Sequence, residues 1–208
     1  MKVFNVEGEK MRMDKKDPKT QDFEFNTSPV LELGDAATCR EIIGLRMKHG
    51  GCPADLDAAL KKRDDFEVQD GRNRAPNVSL LAQRQYSQSA YRWGDFVAKY
   101  AMIPSNPKQL EDKDKEITES DGAHAWMKVT TDYYAKHGAE WDFQVQLLEK
   151  DFLKETNNLA VEDARINWPQ DRFPYITVAK VRIPPQDAFS HKRVTFWGEL
   201  SLRCEREE

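Results

Sequence analysis

Cys39, His49 and Cys52 form the densest group of potential metal ligands in the sequence. They fall within fourteen residues, and His49 and Cys52 flank a Gly50-Gly51 pair. A structural zinc site usually has four ligands arranged as two close pairs, and this group has no fourth ligand. The glycine pair also suits the end of a helix. We therefore interpret these residues as ordinary helix and cap positions.

The sequence has four histidines, which offer few candidates for acid–base or nucleophilic catalysis. His124 and His137 share one predicted helix, but a spacing of thirteen residues at about 100° per residue puts them on different sides of it. A phosphate-binding loop needs several closely spaced glycines between a strand and a helix, whereas the first predicted turn has Gly8 alone. Paired aromatic residues are expected in the core: Tyr133 with Tyr134, and Trp93 with Phe96.

Composition and charge limit the classes of partner. The chain has 208 residues, of which 39% are hydrophobic, and 32 basic against 36 acidic residues give a net charge of −4. Such a balance disfavours nucleic-acid binding. No apolar run is long enough to span a bilayer, and the N-terminal residues have no signal-peptide core. Three cysteines, Cys39, Cys52 and Cys204, suit a reducing compartment, and residues 206–208 form no peroxisomal signal, so we expect a cytoplasmic protein.

Interleaved strands and helices predict the fold class. Period-two alternation is clearest over residues 95–103, where Pro104 ends the strand. The other predicted strands are residues 2–4, 23–33, 141–148 and 175–183, with a charged connection over residues 10–19. Helices are predicted over residues 35–49, 53–63 and 120–138, with Asp35 capping the first and Ser120 or Asp121 capping the last. This order predicts one α+β domain with a largely antiparallel sheet or barrel.

Four groups of motifs, in order along the chain, resemble the catalase superfamily, in particular the short catalase-related haem proteins. They include a Met-Lys-Val-Phe strand, an Asn-Thr-Ser-Pro turn, a Tyr-Arg-Trp-Gly segment and a Trp-Pro corner. The matching segments are residues 1–10, 20–30, 86–99 and 141–146, the last grouped with residues 161–164, 168–169 and 178–181. The resemblance implies a catalase-like antiparallel β-barrel with flanking helices.

The resemblance also implies a haem site, of which one residue is recognisable. Asn26, three residues before Pro29, corresponds to the asparagine that holds a peroxide oxygen by hydrogen bonding. The alternative for Asn26 is an ordinary polar residue near a strand end. The family's distal histidine lies upstream of the Met-Lys-Val-Phe strand, and its iron-binding tyrosine lies downstream of residues 196–202. We expect residues 1–208 to form a single catalase-like domain that lacks both segments, with an incomplete barrel.

Family membership implies haem-dependent decomposition of hydrogen peroxide, an oxidoreductase reaction that we expect to be impaired in this chain. One alternative is a haem-free barrel remnant with a structural or interaction role. A further alternative is a haem enzyme that acts on organic or fatty-acid hydroperoxides. A replacement iron ligand could come from Tyr133, Tyr134, His124 or Cys39. Exposed strand edges predict association, so a homo-oligomer is expected.

Overall fold

The computed structural model describes residues 1–7 and 19–198. Gly8, most of the predicted connection over residues 10–19, Cys204 and residues 206–208 lie outside the described residues.

The described strands form one five-stranded antiparallel sheet and one small two-stranded sheet. The small sheet pairs β1 with β2. In the large sheet the order is β3-β5-β6-β7, with β4 also paired to β5. The strands are β1 (Lys2–Phe4), β2 (Thr20–Asp22), β3 (Gln85–Tyr86), β4 (Tyr91–Trp93), β5 (Phe96–Pro104), β6 (Ala139–Leu148) and β7 (Ile176–Ile183).

The described residues also form eight helices. They are α1 (Ala36–His49), α2 (Pro53–Leu60), α3 (Phe66–Asn73), α4 (Pro107–Leu110), α5 (Ala125–Tyr134), α6 (Lys150–Glu155), α7 (Leu159–Glu162) and α8 (His191–Gly198). Short 3-10 turns cover Leu80–Ala82 and Glu119–Asp121. The Asp35 carboxylate caps α1 by accepting a 2.7 Å hydrogen bond from the Thr38 backbone N–H, as predicted.

The core lies on both faces of the sheet. Trp141 and Leu148 are buried on β6 and, with an odd spacing, point to opposite faces. Trp141 packs with Met102 and Ala139 in one cluster. Leu148 packs in the other with Ala160, Trp168 and Phe173. Because both faces of β5 and β6 are covered, these two strands form the centre of the molecule.

The antiparallel α+β prediction is confirmed, but the described strands do not close into a barrel. β7 is the edge of an open sheet in the part of the chain that the structure describes. Both strands β5 and β6 lie where the sequence predicts them, within two residues.

Three predictions about local structure are wrong. Residues 23–33 do not form a strand, because only Asn26 makes a β-bridge. The chain then turns at Ser28-Pro29, where the Ser28 hydroxyl donates a hydrogen bond to the Val30 carbonyl. The third helix begins only at Ala125, because Gly122 has φ +86°, a backbone conformation that ends the preceding 3-10 turn.

The third wrong prediction places Trp93 and Phe96, on the β4–β5 hairpin, in the core. Trp93 is 51% and Phe96 is 56% exposed, so neither lies in the core. They pair across the tight turn at Gly94.

Candidate functional site

Asn26 is held against the edge of the large sheet by its own backbone. Its N–H donates to the Tyr86 carbonyl at 2.8 Å, and the Tyr86 N–H donates back to the Asn26 carbonyl at 2.6 Å. Tyr86 belongs to β3, which pairs with the central strand β5. The rigid centre of the sheet therefore fixes the main chain of Asn26.

The side-chain amide of Asn26 has a fixed orientation. Its Oδ1 accepts a 2.7 Å hydrogen bond from the backbone N–H of Thr27. Within the described residues Nδ2 makes no hydrogen bond, and the residue is exposed. An asparagine amide offers one acceptor end and one donor end, so the donor end is the one left for a ligand. A small ligand with an acceptor oxygen is the kind that this N–H group would bind.

A cleft of about 490 Å³ opens beside Asn26 and includes its neighbours Thr27 and Tyr86. Its volume is within the range of about 300–1,000 Å³ that is common for ligand sites. Its walls are mostly polar, with charges of both signs, and the other lining residues are Pro76, Val78, Ala82, Gln83, Arg84, Lys113, Asp114 and Glu116. This cleft suits a small polar ligand better than a long acyl chain.

An aromatic cluster covers the sheet face next to Asn26. Tyr100 lies at its centre and is buried. Its ring lies 5.2 Å from Phe23, 5.3 Å from Phe25 and 5.0 Å from Tyr91, measured between centroids. Phe143 stacks on it at 5.9 Å. Edge-to-face contacts of this kind stabilise packing, so this chain's own side chains fill this part of the face.

The two tyrosines considered as replacement iron ligands pack against the sheet. Tyr133 and Tyr134, on α5, contact the cluster that contains Trp141, and the sequence prediction that they are packing residues is confirmed. The Tyr133 hydroxyl donates to the Gly138 carbonyl at 2.9 Å. Burial raises the pKa of both phenols. An iron-binding phenolate needs the opposite shift, so neither hydroxyl is prepared for metal binding.

The other candidate ligands lie on separate elements. His124 directly precedes α5, and Cys39 is half-buried on α1. Cys52 is exposed at the start of α2, and His49 ends α1. In the described residues no three histidine, cysteine or acidic side chains come together as a metal site.

Haem is the cofactor that the resemblance implies, and the described residues fit only half of such a site. Asn26 supplies an oriented donor beside a cleft. Of the four candidate iron ligands, Tyr133, Tyr134, His124 and Cys39, none lines this cleft, and burial raises the pKa of the two tyrosines. The iron-binding half of the site is therefore not met by these residues.

Lys99, on β5, is a functional candidate that the sequence analysis missed. It is only 3% exposed, and its Nζ donates to the Ile166 carbonyl at 3.0 Å and lies 4.9 Å above the Trp168 ring. Among the described residues it has no carboxylate partner. Burial lowers the pKa of its amine to about 8. A lysine within the otherwise apolar run around Tyr100 is the signal that could have indicated it.

A second cleft, also of about 490 Å³, lies at the far end of the sheet. Its floor includes Leu148 and Phe173, and its rim carries Asp95, Glu149 and Lys150. Arg172 forms one wall, where it binds Glu155 at 2.7 and 3.1 Å and stacks on Phe173. Because rim charges of both signs alternate, this cleft shows no preference for an anionic or a cationic ligand.

Comparison with solved structures finds catalases. A fungal catalase has a TM-score of 0.54 and 15% identity, and the match covers 82% of this chain and 37% of that chain. Catalase A from Saccharomyces cerevisiae also gives 0.54 and 15%, over 82% of this chain and 38% of its own. A bacterial catalase gives 0.54 and 14%, over 82% and 36%. At such identities the likeness shows the fold.

The chain spans less than two fifths of the length of these catalases. No family model matches the sequence, and no curated protein matches it. Among the described helices, none combines the length and apolar character needed to cross a bilayer.

Proposed function

We propose that this chain serves haem-dependent decomposition of hydrogen peroxide of the catalase type, and that Asn26 is its peroxide-binding residue. The observation that carries this proposal is the orientation of the Asn26 amide. The Thr27 N–H occupies Oδ1, and Nδ2 is left as a donor on a residue whose neighbours Thr27 and Tyr86 line a cleft. The catalase-like fold supports the same assignment.

Asn26 would bind one peroxide oxygen through its Nδ2–H group and hold it in one orientation. Haem, when bound, would supply the redox chemistry, and an oriented donor at the reacting oxygen lowers the barrier by electrostatic stabilisation. The iron ligand would come from outside the described residues, and we expect low activity where it is missing. The polar walls favour hydrogen peroxide over a fatty-acid hydroperoxide.

The proposal extends to the architecture. We propose that residues 1–208 form one domain, in which the five-stranded sheet and the small β1–β2 sheet are parts of an incomplete barrel. The chain would act in the cytoplasm and would associate into a homo-oligomer.

The test compares the wild-type chain with Asn26→Ala after titration with hemin. We expect a saturable Soret shift and only slow oxygen release from peroxide, and we expect Asn26→Ala to lower that release by about two orders of magnitude. Asn167→Ala is the matched control, because Asn167 is also exposed and lies on another segment. Weak, non-saturating hemin binding, or equal oxygen release by Asn26→Ala, would overturn the proposal.

A haem-free interaction protein is the second candidate. It is favoured by the exposed aromatic side chains Trp93 and Phe96 on the β4–β5 hairpin and Phe196 and Trp197 on α8. Exposed apolar groups of this size are typical of protein contact surfaces. Size-exclusion chromatography with light scattering tests it: a monomer that binds hemin stoichiometrically would contradict this candidate.

A further inference from the structure

Gln88 has an unusual backbone conformation close to Asn26. Its φ is +61°, in the left-handed region that side chains other than glycine and asparagine rarely adopt. Gln88 follows β3, two residues after Tyr86, whose backbone holds Asn26. Such a conformation is costly and persists where the surrounding contacts require it.

The Gln88 side chain reaches across to the turn that begins at Asn26. Its Nε2 donates to the Val30 carbonyl at 2.7 Å, although the two residues are 58 apart in sequence. The same carbonyl accepts a 2.8 Å hydrogen bond from the Ser28 hydroxyl. The Val30 N–H donates back to the Ser28 Oγ at 3.3 Å. Gln88 is thus bonded to the closed end of a small hydrogen-bonded turn.

Residues 86–88 therefore hold the turn over residues 26–30 at two points. Tyr86 binds its first residue, Asn26, through two backbone hydrogen bonds, and Gln88 binds its last, Val30, through a side-chain amide. A turn fixed at one end could still rotate about that end. Two fixed points restrain the backbone of the turn, from which the Asn26 side chain is oriented by the Thr27 N–H.

The geometry points to Gln88 as a positioning residue for Asn26: its strained backbone aims its amide at Val30, and this contact fixes the turn from which Asn26 presents its donor. This inference rests on the proposed function for the role of Asn26 in peroxide binding. Gln88 itself does not contact the ligand.

Two substitutions separate positioning from stability. Gln88→Gly removes the amide and relieves the left-handed strain, so the melting temperature should stay unchanged or rise. Gln88→Asn tolerates the same backbone conformation but is one methylene too short to reach Val30. Gln144→Ala is the matched control, because the Gln144 amide donates to Thr177 at 3.1 Å, in the β6–β7 pair.

The first readout is the nitrogen-15 relaxation of the Asn26 backbone and side-chain amides in the chain without haem. We expect both Gln88 variants to lower the heteronuclear NOE of these amides, whereas Gln144→Ala leaves it unchanged. Unaltered Asn26 relaxation in both variants would overturn the inference. A variant that loses Asn26 order together with global stability would also overturn it, because Gln88 would then be a structural residue.

The second readout is oxygen release by the hemin-loaded chain. We expect about a tenfold loss in both Gln88 variants, because small displacements of a positioned group are costly in rate. Absence of turnover in the wild-type chain would defeat the proposed function. The relaxation data would still decide whether Gln88 orders Asn26, so the two failures are distinguishable.

Discussion

At the scale of single residues, burial changes the acid–base properties of Lys99. Burial removes water from the Lys99 amine, and this loss destabilises its charged form more than its neutral form. Because no carboxylate of the described residues compensates, the pKa falls to about 8. In the unfolded chain the pKa is near 10.5. Between these values the unfolded chain binds more protons than the folded one.

The stability of the protein should therefore rise with pH between about 8 and 10.5, by at most about 1.4 kcal/mol per pH unit from Lys99. Below pH 8 both states are protonated and this contribution is constant. Lys99→Met keeps the packing on Trp168 and removes the titration. The measurement is urea denaturation of both chains across this range, and parallel curves would contradict the assigned burial.

The sequence predicted Asn26 but not Lys99, for physical reasons. Asn26 was predicted through the resemblance of its Asn-Thr-Ser-Pro turn to a catalase motif, and its role stays a prediction. The one local signal of Lys99 is its place within an apolar run, and its burial comes from Trp168, far along the chain. Burial by distant residues leaves no local pattern, and the same holds for the Gln88 contact with Val30.

At the scale of elements, the edge strand β7 carries features that oppose pairing with other chains. Val178 has no partner in the pairing of β7 with β6, and this β-bulge twists the edge strand. Lys180 binds Glu140 at 2.8 Å and Asp142 at 2.9 Å, and Arg182 binds Glu140 at 2.7 Å. Inserting these cations between paired edges would be unfavourable.

Replacing both Lys180 and Arg182 with Val should increase self-association of the folded chain, because it leaves a flatter apolar edge. Light scattering against protein concentration measures this. Glu140→Gln is the control, since it weakens the same ion pairs and keeps the cations. Equal association of the two variants would assign the effect to lost ion pairs instead.

Elements with a clear pattern were predictable, including the short β1 and α2, whereas short elements without one were not. β5 and α1 were located from alternation and from the Asp35 cap. The helices α3, α6 and α7 have at most eight residues, and tertiary packing rather than propensity forms them. Residues 23–33 have strand-like composition, but the hydrogen bonds of Ser28 favour a turn over a continued strand.

At the scale of the whole molecule, β5 and β6 join two hydrophobic clusters that lie on opposite faces. Loss of packing on one face should therefore weaken the other through the shared strands. A single cooperative unfolding transition is expected for a domain organised in this way.

Leu148→Ala should lower the free energy of unfolding by about 2–5 kcal/mol, through a cavity beside Trp168. Tryptophan fluorescence and far-UV circular dichroism should give the same denaturation midpoint in the wild type and in the variant. Separate midpoints would show that the two faces unfold independently. Met47→Ala is the control, because Met47 is exposed on α1.

The burial of Lys99 also allows local opening of the core to be measured at a single residue. Near pH 8 about half of such amines are uncharged and nucleophilic, yet the segment from Ile166 to Trp168 shields the nitrogen from reagents. An acylating reagent can then modify Lys99 only when this segment lifts from the sheet. The rate of acylation at that one lysine, read by peptide mass spectrometry, would time the local opening of the core in a way that the exposed lysines cannot.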